Sequence, residues 1–301
     1  MKVRDMRLRR HGVVAIAVLG LMASAVVPAS AERGGGGGLG GTAKAAAFAL
    51  DVDVDVLGAL PLDVGPLARL RLSGDAGPRY ANVAKVQVPP LLEALVLATG
   101  AQTKVTKEIY SKASARVATV KLKLLGELLI KLVKSECEVS SDTVKVASDI
   151  VFADGSVLNG LVAADMVGLA ARPNSRISVP LVGDLILNEQ RIEKHSSSKG
   201  NEVTVTVNAL HLALDGILGH GDITVSQSVC RAAGKGIGKD LKVVSTTNGN
   251  DTSGQVGDGG DDGDGGGLLD GVLGGGDGGL LNVNHLLGGG LLYGALKREN
   301  H

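Results

Sequence analysis

The stretch VTVTVNALHLAL, residues 203–214, decides the fold. Val203, Val205 and Val207 alternate with Thr204, Thr206 and Asn208, the period of two expected of a strand with one buried face. The apolar phase then slips by one residue, because Leu210, Leu212 and Leu214 continue the core face. An extra residue near Ala209 accounts for the slip, either as a β-bulge or where a strand passes from one sheet to another. LILNEQ (185–190) precedes this stretch and DITVSQSVC (222–230) follows it, so residues 179–230 form the centre of an all-β domain.

Working outward toward the amino terminus, FALDVDVDVL (48–57) alternates strictly. Phe48, Leu50, Val52, Val54 and Val56 are expected on one face and Asp51, Asp53 and Asp55 on the other. ANVAKVQVPPLLEALVL (81–97) aligns without gaps onto ARVATVKLKLLGELLIK (115–131) at an offset of 34 residues. Both copies read as strand, tight connection and second apolar run, a unit that needs a neighbour to cover its apolar face. Two hairpins in one sheet of an antiparallel β-sandwich-like domain are the simplest product, with a short β-solenoid as the alternative.

LLGELLIKLVKSE (124–136) reads as strand, although Leu125, Leu128, Leu129, Leu132 and Val133 also fit a helical stripe. KVASDIVFADGSVL (145–158) supplies another strand and a turn at Asp154-Gly155, and LVAADMVGLAA (161–171) fits a short helix or a strand equally well.

The ends differ in character. Residues 1–31 read as a secretion signal: five basic residues, an apolar run, and Ala29-Ser30-Ala31 before a cleavage point between Ala31 and Glu32. Residues 32–42 form a glycine spacer. The β domain is expected over 43–231, a linker over 232–247, and a Gly/Asp/Leu tail over 248–301 that is disordered by composition. Of the chain's 45 glycines, 19 fall between Gly249 and Gly294, which is why no packed core is expected there.

Composition narrows the function. The chain has 31 Lys+Arg and 31 Asp+Glu, and removing residues 1–31 leaves 26 against 30. A mildly acidic chain with no Trp, three Tyr and two Phe lacks both the basic field and the stacking surfaces of a nucleic-acid binder. Its two cysteines, Cys137 and Cys230, are expected to pair in an oxidising compartment and to close a 94-residue loop. After signal cleavage no run is long enough to span a bilayer as a helix; LLGGGLLYGAL (286–296) is too short and too rich in glycine.

The order of motifs carries a resemblance. An AFAL strand, the ANV repeat ending near a cysteine, VPLVGDLILNEQ, VTVNALHL and DITVSQSVC follow one another over roughly residues 45–231. This succession resembles the choice-of-anchor P family of secreted actinobacterial surface proteins. The resemblance implies an extracellular β-rich domain with no assigned activity, whose members differ in how the carboxyl terminus is anchored. No sorting motif of the LPxTG kind is present.

Chemistry-bearing patterns are few. Asp51, Asp53 and Asp55 present carboxylate oxygens along one strand face, weak candidates for a calcium site, with a solvated face as the plainer reading. GDGGDDGDGGG (257–267) lacks the spacing of calcium-binding loops, and GKGIGKD (234–240) has Asp240 where a phosphate-binding loop needs Ser or Thr. His211 leaves the apolar face and is expected to pair with Glu189 or Asn188 of the neighbouring strand. Asn188, Glu189 and Gln190 are expected to hold a turn at the end of the LIL strand.

No catalytic residue and no cofactor is assigned. The expected function is a secreted or cell-surface structural or interaction protein whose tail meets the cell envelope or another copy. A carbohydrate- or wall-binding module with Tyr80 and Tyr110 is one alternative. A secreted hydrolase using Glu93, Glu127 or Glu189 is the other.

Overall fold

A computed structural model describes residues 40–256 apart from 57–60, 90, 107, 127, 159, 217 and 218. The expected signal, most of the spacer and residues 257–301 therefore lie outside the described residues. In chain order the strands are β1 (Thr42–Val56), β2 (Leu62–Leu67), β3 (Leu70–Ser73), β4 (Ala76–Val88), β5 (Leu92–Lys104), β6 (Tyr110–Leu122), β7 (Leu128–Val139) and β8 (Thr143–Phe152). They continue as β9 (Val157–Leu158), β10 (Leu161–Val162), β11 (Ser175–Val179), β12 (Gly183–Ser197), β13 (Gly200–Gly216), β14 (Gly219–Gly234), β15 (Leu241–Thr247) and β16 (Asn250–Val256). One helix, α1 (Ala163–Ala170), follows β10.

The first sheet runs β11-β12-β13-β14-β1-β2, with β3 also on β1, and the second runs β16-β15-β8-β7-β6-β5-β4. Neighbours are antiparallel throughout, apart from the parallel pair β8–β15. The two sheets pack face to face as an all-β sandwich. The sequence repeat is a pair of adjacent hairpins, β4–β5 and β6–β7. Equivalent residues Leu91 and Leu125 both plug the core from the connections. Antiparallel hairpins laid side by side exclude the solenoid alternative.

The slip near Ala209 is present and is wider than one strand. β12 and β13 pair Glu189 with Asn208 and Leu187 with Leu210, passing over Asn188 and Ala209. The same line crosses β14 at Ser226 and β1 at Ala49. Asn188 and Ser226 absorb it with φ of 54° and 63°. On β1 the slip turns Phe48, expected on the core face with Leu50, to the outer face, while Ala43, Ala45, Ala47 and Ala49 face inward.

Either side of this line the core divides. One half holds Leu50, Leu92, Leu97, Leu122, Leu128, Leu185, Leu187, Leu210 and Leu212. The other is built on alanine and valine around Cys137 and Cys230. Between them lies a buried polar belt, in which Ser135 and Ser228 meet at 2.9 Å, Ser226 donates to the Ala115 carbonyl at 2.8 Å, and Ser245 donates to Gln190 at 3.0 Å. These hydroxyls keep partners, as burial demands, whereas the buried Ser148 Oγ beside them has none.

Several expectations are corrected. Residues 161–171 are neither wholly strand nor wholly helix: Leu161-Val162 pair with β9, and α1 then turns Met166 and Ala170 into the core. Over 124–136 a 3-10 turn at Lys123–Leu125 precedes β7, so the strand reading holds. The domain does not end at 231, because β14 continues to Gly234 and β15 occupies 241–247, where a linker was expected. Leu241, Val243, Ser245 and Thr247 of β15 are buried against β8. Residues 250–256, assigned to the tail, pair with β15 as β16.

Candidate functional site

The disulfide is the first element of the site region. Cys137 of β7 and Cys230 of β14 are bonded, with Cα atoms 5.9 Å apart, within the range expected of a bridge. They belong to different sheets and are fully buried, so the bond ties the two layers through the alanine-rich half of the core.

A histidine-centred group of polar side chains lies on the outer face of the first sheet, beside the slip line, where three strands contribute to it. His211 of β13 places Nδ1 3.0 Å from Glu189 Oε2 of β12 and Nε2 2.8 Å from Asp222 Oδ1 of β14. Asn208 donates to Glu189 at 2.6 Å and accepts from Gln227 at 2.7 Å. The hydrogen bond that His211 donates to Glu189 is the main reason the His211 pKa rises to about 9, against burial and with help from Asp222. In turn the His211 hydrogen bond holds Glu189 below the usual carboxylate range, against burial and with help from Asn208. At neutral pH the ring is therefore an imidazolium donating from both nitrogens. A general base needs a free nitrogen lone pair, which this ring does not offer.

A histidine whose folded pKa lies above its unfolded value stabilises fully below about pH 6.5 and loses that contribution as pH rises through about 9. The Glu189 contribution has the opposite sense: present above the usual carboxylate range, lost as pH falls through its depressed pKa. The histidine shift corresponds to about 3 kcal/mol, which solvent screening at the exposed Asp222 end reduces to about 1–2 kcal/mol. His211→Gln is expected to cost that much in urea denaturation at pH 6, and the deficit should shrink by the same amount at pH 10. A deficit unchanged across this range would show that the ring acts by packing rather than by charge.

Asn188 and Gln190 point the other way. Gln190 donates to Asn188 Oδ1 at 2.7 Å, and its backbone N–H donates to Asn174 Oδ1 at 2.8 Å. The Asn188 carbonyl accepts from the Asn174 N–H at 2.9 Å, so Asn188 and Gln190, without Glu189, hold the segment that leads into β11 rather than a turn after the LIL strand. The expected turn at the end of the LIL strand is absent, because β12 runs on to Ser197.

Asp51, Asp53 and Asp55 do lie on the outer face of β1, where Asp53 pairs with Asp63 of β2 and Asp222 of β14. Burial first, then Asp63 and Asp53, raise the Asp51 pKa against a backbone hydrogen bond from Val52. Asp63 and Asp222 join this face from strands distant in sequence, and the gap left by Gly65 accommodates the Asp51 carboxylate. Among the described residues no three His, Cys, Asp or Glu side chains are grouped to hold a metal ion.

Of the carboxylates suggested for hydrolysis, Glu93 and Glu189 are not brought together. Glu93 lies on the second sheet, paired with Lys85 at 2.9 Å and with Gln87 at 3.0 Å, whereas Glu189 lies on the outer face of the first. Glu127 falls outside the described residues. Tyr110 reaches Glu138 at 3.3 Å. Tyr80 is 76% exposed and lies over Gly100, beside a depression of about 230 Å³ lined also by Arg116, Lys134 and Glu136. No helix among the described residues is long and apolar enough to cross a membrane. No family model, no curated protein and no solved structure matches this chain.

Proposed function

We propose that this chain is an extracellular, non-catalytic β domain held at or released from the cell surface, the role implied by its resemblance to the choice-of-anchor P family. The observation that carries the reading is the buried Cys137–Cys230 bond between the two sheets, since structural disulfides persist in oxidising compartments. The outer-face network supports it, because His211 is spent in two ion pairs that fasten three strands together. The reading is tested by expressing the full chain with its amino-terminal segment and separating cytoplasm, envelope and medium. The mature chain is expected outside the cytoplasm with no free thiol. Recovery from the cytoplasm with two free thiols would overturn it.

Tyr80 favours a second reading, a wall- or carbohydrate-binding module. One ring face covers Gly100 and the rest of the ring is open to solvent beside Arg116 and Lys134, a surface on which a sugar ring can stack. In pelleting assays with cell-wall fractions, Tyr80→Ala is expected to reduce retention several-fold if this face binds glycan. If instead deletion of residues 257–301 moves the protein into the medium and Tyr80→Ala changes nothing, retention belongs to the tail.

A further inference from the structure

Both ends of the described chain emerge at the same pole of the sandwich. Thr42 of β1 pairs with Ala233 near the end of β14, and Val256 at the end of β16 pairs with Leu241 at the start of β15. The loop 235–240 crosses this pole from one sheet to the other. Asn201 donates to the Ile237 carbonyl at 2.8 Å on one side, and the Gly238 N–H donates to the Ser141 carbonyl at 2.6 Å on the other.

The crossing makes the pole basic. Lys235 follows Gly234, which packs against the Lys199-Gly200 turn; the Lys194 ammonium donates to the Lys239 carbonyl; and Lys242 opens β15. Lys199, Lys235, Lys239 and Lys242 are exposed. Asp142 and Asp240 are the acidic residues set among them, while Glu202 and Glu193 on the flanking strands are already taken by Arg231 and Arg191. Five lysines against two aspartates leave this surface net cationic.

The chain leaves Val256 directly beside this surface, since Gln255 pairs with Lys242. It runs at once into Asp258, Asp261, Asp262 and Asp264. At no more than about 3.6 Å per residue the reach from Val256 grows from about 7 Å at Asp258 to about 29 Å at Asp264, so the segment as a whole spans one end of a sandwich whose sheets are about 10 Å apart. We infer that the acidic segment 258–264 docks on the basic pole formed by Lys199, Lys235, Lys239 and Lys242 of the same molecule. The tether keeps the local concentration of the four aspartates high, so weak exposed ion pairs suffice to hold them. The docked segment covers the lysines.

Zero-length carbodiimide coupling of the full chain, read by peptide mass spectrometry, tests it. An even mixture of ¹⁴N- and ¹⁵N-labelled protein separates links within a molecule from links between molecules. Expected are intramolecular amides between Asp258–Asp264 and the four lysines, several-fold more abundant than links to Lys121 and Lys123 at the opposite pole. They should fall several-fold between about 0.01 M and about 1 M NaCl, as the screening length drops from roughly 30 Å to roughly 3 Å. No excess over the opposite pole, links mainly between molecules, or links indifferent to salt would each overturn the inference.

Discussion

Replacing Cys137 and Cys230 together with alanine is expected to cost about 4 kcal/mol in urea denaturation, with the loss concentrated in one half of the molecule. A bridge across 93 residues restricts the unfolded chain by roughly 4–5 kcal/mol in the chain-entropy account, and native bridges commonly contribute about 2–5 kcal/mol. The local setting raises its importance. The half of the core that contains the bond is lined by Ala43, Ala45, Ala47, Ala101, Ala113, Ala115 and Ala232, whereas leucines fill the other half. A buried leucine returns about 1.5–3 kcal/mol and an alanine much less, so the alanine half has less apolar burial to resist separation of the sheets. Hydrogen exchange in the double alanine variant should therefore rise first around Ala45, Ala113, Val205 and Ala232, while Leu97, Leu187 and Leu212 keep their protection. A variant that loses stability without this asymmetry would show that the bond acts only through the unfolded chain. An unchanged midpoint would mean that the bridge is energetically idle.

Much of this architecture is legible in the residues, and what is not has physical reasons. Period-two alternation marks β1, β13 and β14 because most of their large apolar side chains face one layer, Phe48 and Val229 being the exceptions. The 34-residue repeat reveals two hairpins because Leu91 and Leu125 plug equivalent holes. The slip at Ala209 is visible because valines precede it and leucines follow. The same slip is hidden on β1, since Ala49 is small enough to read as either face, and Phe48 is misassigned for that reason. β15 escapes notice because only Leu241 and Val243 of its inward positions are apolar; Ser245 and Thr247 continue the buried face as hydroxyls of the polar belt. The pairing of His211 with Glu189 follows from adjacent strands, but Asp222 joins only once β14 is in register. The clustering of Asp53, Asp63 and Asp222 is a product of sheet order, which local sequence does not encode.

Two truncations are expected to behave differently, and the difference locates the true end of the domain. Ending the chain at Val256 should leave the melting temperature within about 2 °C of the full chain, whereas ending it at Thr247 should lower it by roughly 5–10 °C. The second cut removes β16, leaving β15 as a bare edge, and it removes Asn248. That residue accepts the Ile150 N–H on Oδ1 at 2.8 Å, donates from Nδ2 to the Ile150 carbonyl at 3.1 Å, and donates its own N–H to the Ser148 carbonyl at 3.0 Å. Asn248 and Gly249 have φ of 46° and 79°, the left-handed pair that a two-residue hairpin turn requires and that Asn-Gly supplies at low steric cost. The dipeptide between two alternating runs was the available signal for this hairpin. With net contributions of about 0.5–1.5 kcal/mol per hydrogen bond, losing the Asn248 bracket and part of the ladder costs about 2–4 kcal/mol. For a domain of this size each kcal/mol moves the midpoint by about 2–4 °C, which gives the stated shift. Asn248→Ala in the full chain should reproduce about half of it, since β16 is retained while the side-chain bridge is lost. If both truncations melt together with the full chain, β16 contributes nothing and the domain ends at Thr247.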